Sequence, residues 1–276
     1  MKIRKTGRPA KSEAGPLCVR GKMKIAIVTI SYNQHVGLRK LFASARTKEP
    51  LSFFLFRHST IPATVAACDE VSRNYPTFYF AHGTNRGVAR SWNDGILAAA
   101  DWGADATIVC NDDIVFGEGD VDKISRAAMD NRDRFVVFAA GKNTRLKRVV
   151  NDQAMACYAI NPIAIERIGM FDENFFPAYD EDCDYCYRAK MLGLKRFVVS
   201  NTNIVHTGSA SIYSSSELRA QNARTHSLND RYYIRKWGDK PEREKFKRPF
   251  NSPDLDWYIG PEARHAPYPG RNRTDL

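Results

Sequence analysis

The chain has 276 residues and a formal net charge of +11, with 43% hydrophobic and 26% charged residues. This composition is typical of a soluble globular protein, and its apolar runs fall well short of the roughly 20 residues that cross a membrane. The basic N-terminus also lacks the apolar segment of a secretory signal, so we expect a cytoplasmic protein without a transmembrane segment. The excess of positive charge favours polyanionic partners: nucleic acid, an anionic membrane face or a phosphorylated substrate.

The two ends of the chain differ in composition from its centre. Residues 1–22 are rich in Lys, Arg, Gly and Pro and predict a flexible basic N-terminal arm. Arg8 lies in a Gly-Arg-Pro core that is similar to minor-groove hooks, although a solvated tail explains the same residues. Residues 241–276, rich in Pro, Arg and Asn, predict a C-terminal tail. The residues between, 23–240, are predicted to form a single main domain.

Short apolar runs alternate with helical patterns through the first half of the chain. Strands are predicted at residues 24–30, 51–56, 77–80 and 107–110. Helices are predicted between them, most clearly at 88–100. This alternation predicts an α/β fold with a mostly parallel, Rossmann-like sheet flanked by helices, whose ligands bind beyond the carboxyl ends of the strands. Polar residues stand at those ends: Asn33, His58, Asn85 and Asp113.

The most acidic stretch, residues 180–184, precedes a helical pattern that ends at Gly193. Its four carboxylates repel one another unless cations or hydrogen-bond donors offset their charge. Acidic residues in a first helical turn explain part of the stretch, with Asp184 paired to Arg188 one turn later. A second acidic pair, Asp112-Asp113, follows a predicted strand. One carboxylate site suited to a cation and another suited to accept a proton predict an enzyme.

A divalent cation is predicted near Asp113, because a carboxylate at a strand end suits Mg²⁺ or Mn²⁺ shared with a diphosphate. His206 follows a short strand predicted at 196–199 and is a candidate further ligand. Imidazole suits Mn²⁺ better than Mg²⁺. A lone histidine is nevertheless more often an ordinary surface or core residue.

Several motifs follow one another in a fixed order. They are Ser31-Tyr32-Asn33, Asn85-Arg86-Gly87 with Arg90 and Asn93, Asn111-Asp112-Asp113, Gly-Met-Phe-Asp-Glu-Asn-Phe-Phe at 169–176, and Glu181-Asp182 with Asp184 and Arg188. This order resembles the inverting glycosyltransferases of the GT-A fold, especially the rhamnosyltransferase-like branch of the large family-two group. The resemblance covers about residues 23–240.

The resemblance implies a role for each motif. Asp182 would be the catalytic base, and Glu181 or Asp184 would supply negative charge near an oxocarbenium-like centre. Asp113 and His206 would hold Mn²⁺ or Mg²⁺. The implied reaction is metal-dependent transfer of a hexosyl or deoxyhexosyl group from a nucleoside-diphosphate sugar to a hydroxyl of an acceptor such as a glycan, with inversion. The residues implied to bind the donor are Ser31, Tyr32, Asn33, Arg57, Asn85, Gly87, Arg90, Asn93, Asn111 and Asp112.

Two positions depart from the family's pattern. Arg57 stands where the family has an Asp that contacts the nucleotide base, which counts against UDP-sugars and leaves dTDP- or GDP-sugars open. Asn111 replaces the first Asp of the metal motif, which predicts weaker metal binding.

Two other functions fit the same sequence. The basic arm and the charge of +11 favour a phage-type glycosyltransferase that acts on hydroxylated bases in DNA. A non-catalytic module that binds sugar or nucleic acid is the second alternative. The intact Asp113, Asp182 and His206 favour an enzyme over such a module.

Overall fold

Residues 22–150, 154–208 and 216–262 are described by the structure, a computed structural model. The predicted N-terminal arm lies outside these residues except for Lys22, and so do residues 263–276 of the predicted tail. The described part of that tail contacts the domain, since the Met170 N–H donates to the Ile259 carbonyl (2.8 Å). The division into arm, domain and tail stays a prediction.

The first half of the chain forms four parallel strands. They are β1 (Ile25–Ser31), β2 (Leu51–Arg57), β3 (Thr77–Ala81) and β4 (Ala106–Asn111), in the spatial order β3-β2-β1-β4. The connecting helices are α1 (His35–Ser44), α2 (Pro62–Asn74) and α3 (Val88–Asp101). All four predicted strands are present, with bounds within about one residue of those read from the apolar runs.

Alternate side chains of these strands enter two separate apolar clusters. Ile25 and Ile27 of β1 pack in the cluster covered by α1 and α2, whereas Ala26 and Val28 pack in the cluster covered by α3. Successive side chains of a strand point to opposite faces, so a strand covered on both faces needs a continuous apolar run. That requirement explains the sequence of β1.

The second half of the chain extends the sheet. Its strands are β5 (Ile114–Val115), β6 (Val136–Asn143), β7 (Arg148–Val150), β8 (Cys157–Ile160) and β9 (Phe197–His206). Its helices are α4 (Asp120–Asp130), α5 (Pro162–Arg167), α6 (Glu181–Met191) and α7 (Ser216–Trp237). The order continues β4-β8-β6-β9-β5, with β7 beside β6. The predicted α/β fold is confirmed, but β8 is antiparallel to both neighbours, so this half of the sheet is mixed. Because antiparallel neighbours need no helical crossover between them, this half does not require the regular strand–helix alternation of the first half.

The ends of several strands meet at one rim of the sheet. Ser31 at the end of β1 lies opposite Arg57 at the end of β2. Asp113 follows β4, and its neighbour Ile114 pairs with His206 at the end of β9. The polar loops that the sequence assigned to strand ends therefore converge on one side of the domain.

The longest of the described helices, α7, has 22 residues and carries polar side chains along its length. Among the residues that the structure describes, no helix combines the length and the apolar character needed to cross a membrane.

Candidate active site

The loop after β1 is tied to the acidic pair after β4. The Tyr32 N–H donates to Asp112 Oδ2 (3.3 Å), and Asp112 is buried. Burial, reinforced by the charge of Asp113, raises the pKa of Asp112 well above its usual range. Asn33 has a left-handed φ of 63°, and its Oδ1 accepts a hydrogen bond from the Ser59 hydroxyl (2.6 Å). These contacts hold the predicted donor-binding loop between β2 and β4.

Arg57 does not extend freely from the end of β2. Its side chain is partly buried, and Nη1 donates to the carbonyl oxygen of Ser59 (2.6 Å). The guanidinium therefore stabilises the turn that also holds Asn33. Because a guanidinium offers no acceptor, this residue cannot receive the N3–H of uracil or thymine as an aspartate can.

A buried histidine links the end of β2 to the start of α3. His58 Nδ1 lies 3.1 Å from Asn85 Oδ1, and Nε2 lies 2.8 Å from the Ser91 hydroxyl. Burial, with a contribution from nearby His82, lowers the pKa of His58 to about 4. The imidazole is thus neutral at pH 7, donating from Nδ1–H to Asn85 and accepting from Ser91 at Nε2. This arrangement gives Asn85 a role in positioning the start of α3.

The first amides of α3 are occupied within the protein. The Gly87 N–H donates to Asn85 Oδ1 (2.9 Å), and the Val88 N–H donates to the Pro177 carbonyl (2.8 Å). Gly87 has a φ of +85°, and a Cβ there would lie 3.0 Å from the Phe176 ring. The Gly87 amide is therefore not a free donor for a diphosphate. The Val88 N–H binds the loop that precedes the acidic helix α6.

Asn93 is fully buried, and its amide group is committed to the segment that begins at Phe171. Nδ2 donates to the Phe171 carbonyl and to Glu173 Oε1 (both 3.0 Å), and Oδ1 accepts from the Phe171 N–H (2.9 Å). Arg90 Nε lies 4.0 Å from Glu173 Oε2. Because Asn93 is fully buried and both of its amide N–H groups are used, it positions this segment, in place of the predicted contact with the donor. Arg90, at 38% side-chain exposure, is accessible.

Asp113 and His206 face each other at the rim. Asp113 Oδ1 lies 3.3 Å from His206 Nε2, and both side chains are largely buried. Asp113 Oδ2 accepts from the Gly208 N–H (2.9 Å). Within the described part of the chain, Asp113 Oδ1 and His206 Nε2 have no hydrogen-bond partner. These two buried atoms, one oxygen and one nitrogen, converge and are both of a kind that coordinates metals. They fit a divalent transition-metal ion. Asn111, two residues before Asp113, is partly buried.

The two acidic residues that begin α6 differ in their surroundings. Glu181 is buried, and its Oε2 has no hydrogen-bond partner among the residues described. Burial, reinforced by the charge of Asp182, raises the pKa of Glu181 well above its usual range. Asp182 is partly exposed, and its Oδ1 accepts from the Cys183 N–H (2.8 Å). Asp182 is thus the accessible carboxylate of this pair, whereas Glu181 is buried and favours its neutral form more than an ordinary glutamate does.

Asp184 lies in a buried network of opposite charges. Its Oδ2 accepts from Arg188 Nε (2.9 Å), while its Oδ1 accepts from Lys236 Nζ (2.6 Å) and Trp237 Nε1 (2.9 Å). Lys236 Nζ also contacts Asp172 Oδ2 (2.8 Å). The predicted pairing of Asp184 with Arg188 is present. A catalytic role for Asp184 does not fit a side chain that is fully buried and bound by three donors.

Three polar residues of the region, His58, Glu173 and Asp180, are absent from the predicted site residues. His58 is signalled in the sequence by its place at a strand end. Glu173 and Asp180 lie within predicted motifs, but their contacts come from elements about 50 to 80 residues away. Such contacts cannot be read from spacing along the chain.

Solved structures with a similar fold are glycosyltransferases. TarS residues 1–349 of S. aureus superimpose with a TM-score of 0.54 at 14% identity, covering 75% of this chain and 68% of that one. The mannosyltransferase PcManGT of Pyrobaculum calidifontis, in complex with GDP-Man and Mn²⁺, gives 0.53 at 13% identity over 75% and 64%. GalNAc-T7, with UDP, GalNAc and Mn²⁺, gives 0.53 at 11% identity over 78% and 50%. At these identities the similarity establishes the GT-A-type fold.

Sequence comparison adds a short local match. A galactofuranosyl glycosyltransferase of Leishmania donovani is 40% identical over 58 residues, which are 21% of this chain. The match spans 13% of that protein's length. No family model matches the chain.

Proposed function

We propose that this protein is a metal-dependent inverting glycosyltransferase that uses a nucleoside-diphosphate sugar. The observation that carries the proposal is the pair Asp113 Oδ1 and His206 Nε2, 3.3 Å apart at the rim where the loops of β1, β2 and β4 meet. The glycosyltransferases with the same fold, two of them solved with Mn²⁺, support it. The rhamnosyltransferase-like branch remains part of the proposal.

The proposed reaction is a single displacement at the anomeric carbon. Asp182 accepts the proton of the acceptor hydroxyl as its oxygen forms the new glycosidic bond, and the bond to the diphosphate breaks. Attack opposite the leaving group inverts the anomeric configuration. Asp113 and His206 would hold the ion, which when bound neutralises charge on the diphosphate. The partly exposed Arg90 is suited to contact the same phosphates, and Asp182, which is more exposed than the buried Glu181, is the proton acceptor.

Metal-dependent nucleotide binding tests the role of the rim pair. Asp113→Ala and His206→Ala are each expected to weaken Mn²⁺-dependent binding of a nucleoside diphosphate at least about tenfold, since even outer-shell changes cost about 10- to 100-fold in metal affinity. Calorimetry with and without EDTA measures this. Asp101→Ala, an exposed aspartate at the end of α3, is the matched control. Parent affinity that is unaffected by EDTA would contradict the metal site.

Base preference tests the role of Arg57. The parent protein is expected to bind UDP no better than dTDP or GDP, and Arg57→Asp is expected to strengthen UDP binding by restoring an acceptor for the uracil N3–H, a gain that dTDP shares because thymine has the same N3–H. Arg126→Asp, on the exposed face of α4, controls for the change of charge. If the parent binds UDP tenfold tighter than the others, about 1.4 kcal/mol, base recognition belongs instead to the loop at Tyr32 and Asn33.

An anionic acceptor is favoured by the hairpin of β6 and β7. The hairpin begins beside His206, whose carbonyl accepts from the Thr144 N–H (2.9 Å). Its exposed cations are Lys142, Arg145, Lys147 and Arg148. This basic surface suits a phosphate-bearing glycan, and it also supports the second candidate function, transfer to hydroxylated bases of DNA. DNA binding by the full chain and by its variant Arg145→Glu/Lys147→Glu, measured over a range of salt concentrations, distinguishes the glycan acceptor from the DNA acceptor. If DNA is the acceptor, its affinity falls with rising salt, and this dependence is weaker in the variant.

A further inference from the structure

A second group of potential metal ligands lies between the start of α6 and the side of α7. Asp180 immediately precedes α6, whereas His226 and Asp230 are four residues apart on α7 and so share one face of that helix. One ligand atom from each of the three lies within 4.8 Å of the others. We call these three residues the α6–α7 cluster. It shares no residue with the pair formed by Asp113 and His206.

Asp180 is buried, and one oxygen of its carboxylate has no hydrogen-bond partner among the residues that the structure describes. The residue is 6% exposed, and the oxygen concerned is Oδ2. It occupies the N-cap position of α6 but makes no side-chain capping hydrogen bond. Its φ of 68° is left-handed, which is unusual for a residue other than glycine. Helix capping, the ordinary role of an aspartate at this position, therefore does not explain the side chain.

The other two members do not compensate Asp180 by themselves. His226 Nε2 lies 3.9 Å from Asp230 Oδ1, and both side chains are about half exposed. Burial, reinforced by the charge of Asp230, raises the pKa of Asp180 to about 6, and the proximity of His226 opposes that rise. The second carboxylate thus adds repulsion beside a buried carboxylate whose Oδ2 has no hydrogen-bond partner in the described ranges. A bound cation offsets both the burial of the Asp180 carboxylate and its repulsion by Asp230.

The backbone around the cluster is already held in place by α7. Asn229 Nδ2 donates to the carbonyl oxygens of Ala178 (2.8 Å) and Tyr179 (3.1 Å). The Tyr179 ring packs against the His226 ring with centroids 4.7 Å apart. The three ligand side chains therefore belong to two segments whose relative position is fixed by other contacts, as a preorganised site requires.

We propose that Asp180, His226 and Asp230 bind a divalent transition-metal ion that ties α7 to the segment leading into Asp182. Two carboxylates and an imidazole suit Mn²⁺ or Zn²⁺, whereas Mg²⁺ and Ca²⁺ prefer oxygen ligands alone. The ion neutralises charge on Asp180 and Asp230 and adds a further link between α7 and the start of α6. This site is independent of the proposed glycosyltransferase function, because none of its ligands takes part in that mechanism.

Counting bound Mn²⁺ in the full chain tests the proposal without an activity assay. Electron paramagnetic resonance titration with Mn²⁺ alone is expected to give two bound ions in the parent. Asp230→Asn with His226→Gln is expected to remove one ion, and Asp113→Ala is expected to remove the other. Asp101→Asn with His35→Gln is the matched control. Each variant is shown to be folded by a thermal unfolding midpoint, measured in EDTA, that equals that of the parent. If the double variant is not folded, the single variant Asp230→Asn replaces it.

The possible results separate the two sites. A single ion that is lost in Asp113→Ala and kept in the double variant overturns the α6–α7 site. A single ion with the opposite behaviour supports this site and contradicts the one at Asp113. Absence of bound Mn²⁺ from the parent, followed by absence of Zn²⁺ in equilibrium dialysis, overturns both. If Zn²⁺ binds with the same variant dependence, the α6–α7 site stands with Zn²⁺ as its ion.

Discussion

Asp182→Asn is expected to reduce sugar transfer about a hundred- to ten-thousand-fold, the usual cost of losing a positioned general base. The asparagine keeps the size of the side chain and can still accept from the Cys183 N–H, so α6 is expected to start unchanged. It cannot take the proton of the acceptor hydroxyl. Binding of the nucleoside diphosphate, measured by calorimetry with Mn²⁺, is expected to remain largely unchanged, which separates loss of catalysis from loss of fold.

Glu181→Gln is the matched comparison for this prediction. Glu181 is buried and its pKa is raised, so a neutral amide of nearly the same shape suits its surroundings better than a charged carboxylate does. We expect the loss of turnover in Glu181→Gln to be much smaller than in Asp182→Asn. If the two variants exchange these behaviours, Glu181 is the proton acceptor, and the distinction drawn from burial is wrong.

The parallel half of the sheet could be predicted because each of its strands carries its own signal. A strand buried on both faces needs an uninterrupted apolar run, and β1, β2 and β4 have one. The mixed half carries a weaker signal, because β8 has four residues and its partners β4 and β6 are set by pairing between distant segments. Sequence periodicity records burial, and it does not record the direction of a neighbouring strand.

The sequence predicted which segments form the candidate site. It did not predict which side chains of those segments point into the site. Asp113 and His206, 93 positions apart in the sequence, lie 3.3 Å from each other. Within single helices the prediction was less specific, because it could not separate the accessible face from the buried one. Asn93 and Asp184 belong to predicted motifs, yet both are fully buried and bound by other protein groups. Their partners include Phe171 and Lys236, which spacing along the chain does not identify.

Lys236→Met is expected to lower the free energy of unfolding by about 3–5 kcal/mol, the usual cost of removing one partner from a buried ion pair. Lys236 is fully buried, and its ammonium group contacts Asp172 and Asp184, while Arg188 contacts Asp184 from the other side. The four groups form a neutral set of two anions and two cations. Removing one cation leaves an uncompensated carboxylate in the core. Urea denaturation of the variant and the parent measures the difference.

The pH dependence of stability tests the same network. Burial acts to raise the pKa of Asp172, but the attraction of Lys236 and hydrogen bonds from Asn174 outweigh it, and the pKa is lowered. A carboxyl group whose pKa is lower in the folded state stabilises the fold above its unfolded pKa of about 3.9. That stabilisation is lost as the pH falls through the lower, folded-state value. Lys236→Met is expected to abolish this loss of stability at acid pH, because without Lys236 the effect of burial, which raises the pKa of Asp172, outweighs the remaining hydrogen bonds from Asn174.

Two further variants separate the buried charge from the loss of side-chain volume. Lys240→Met changes an exposed lysine four residues away and is expected to leave stability within about 0.5 kcal/mol of the parent. Lys236→Met combined with Asp172→Asn removes one anion together with one cation, so it is expected to be more stable than Lys236→Met alone. Equal stability of the single and double variants would show that packing of the lysine stem, and not charge balance, makes Lys236 important. Charge balance predicts partial recovery because the remaining pair, Asp184 and Arg188, is again neutral.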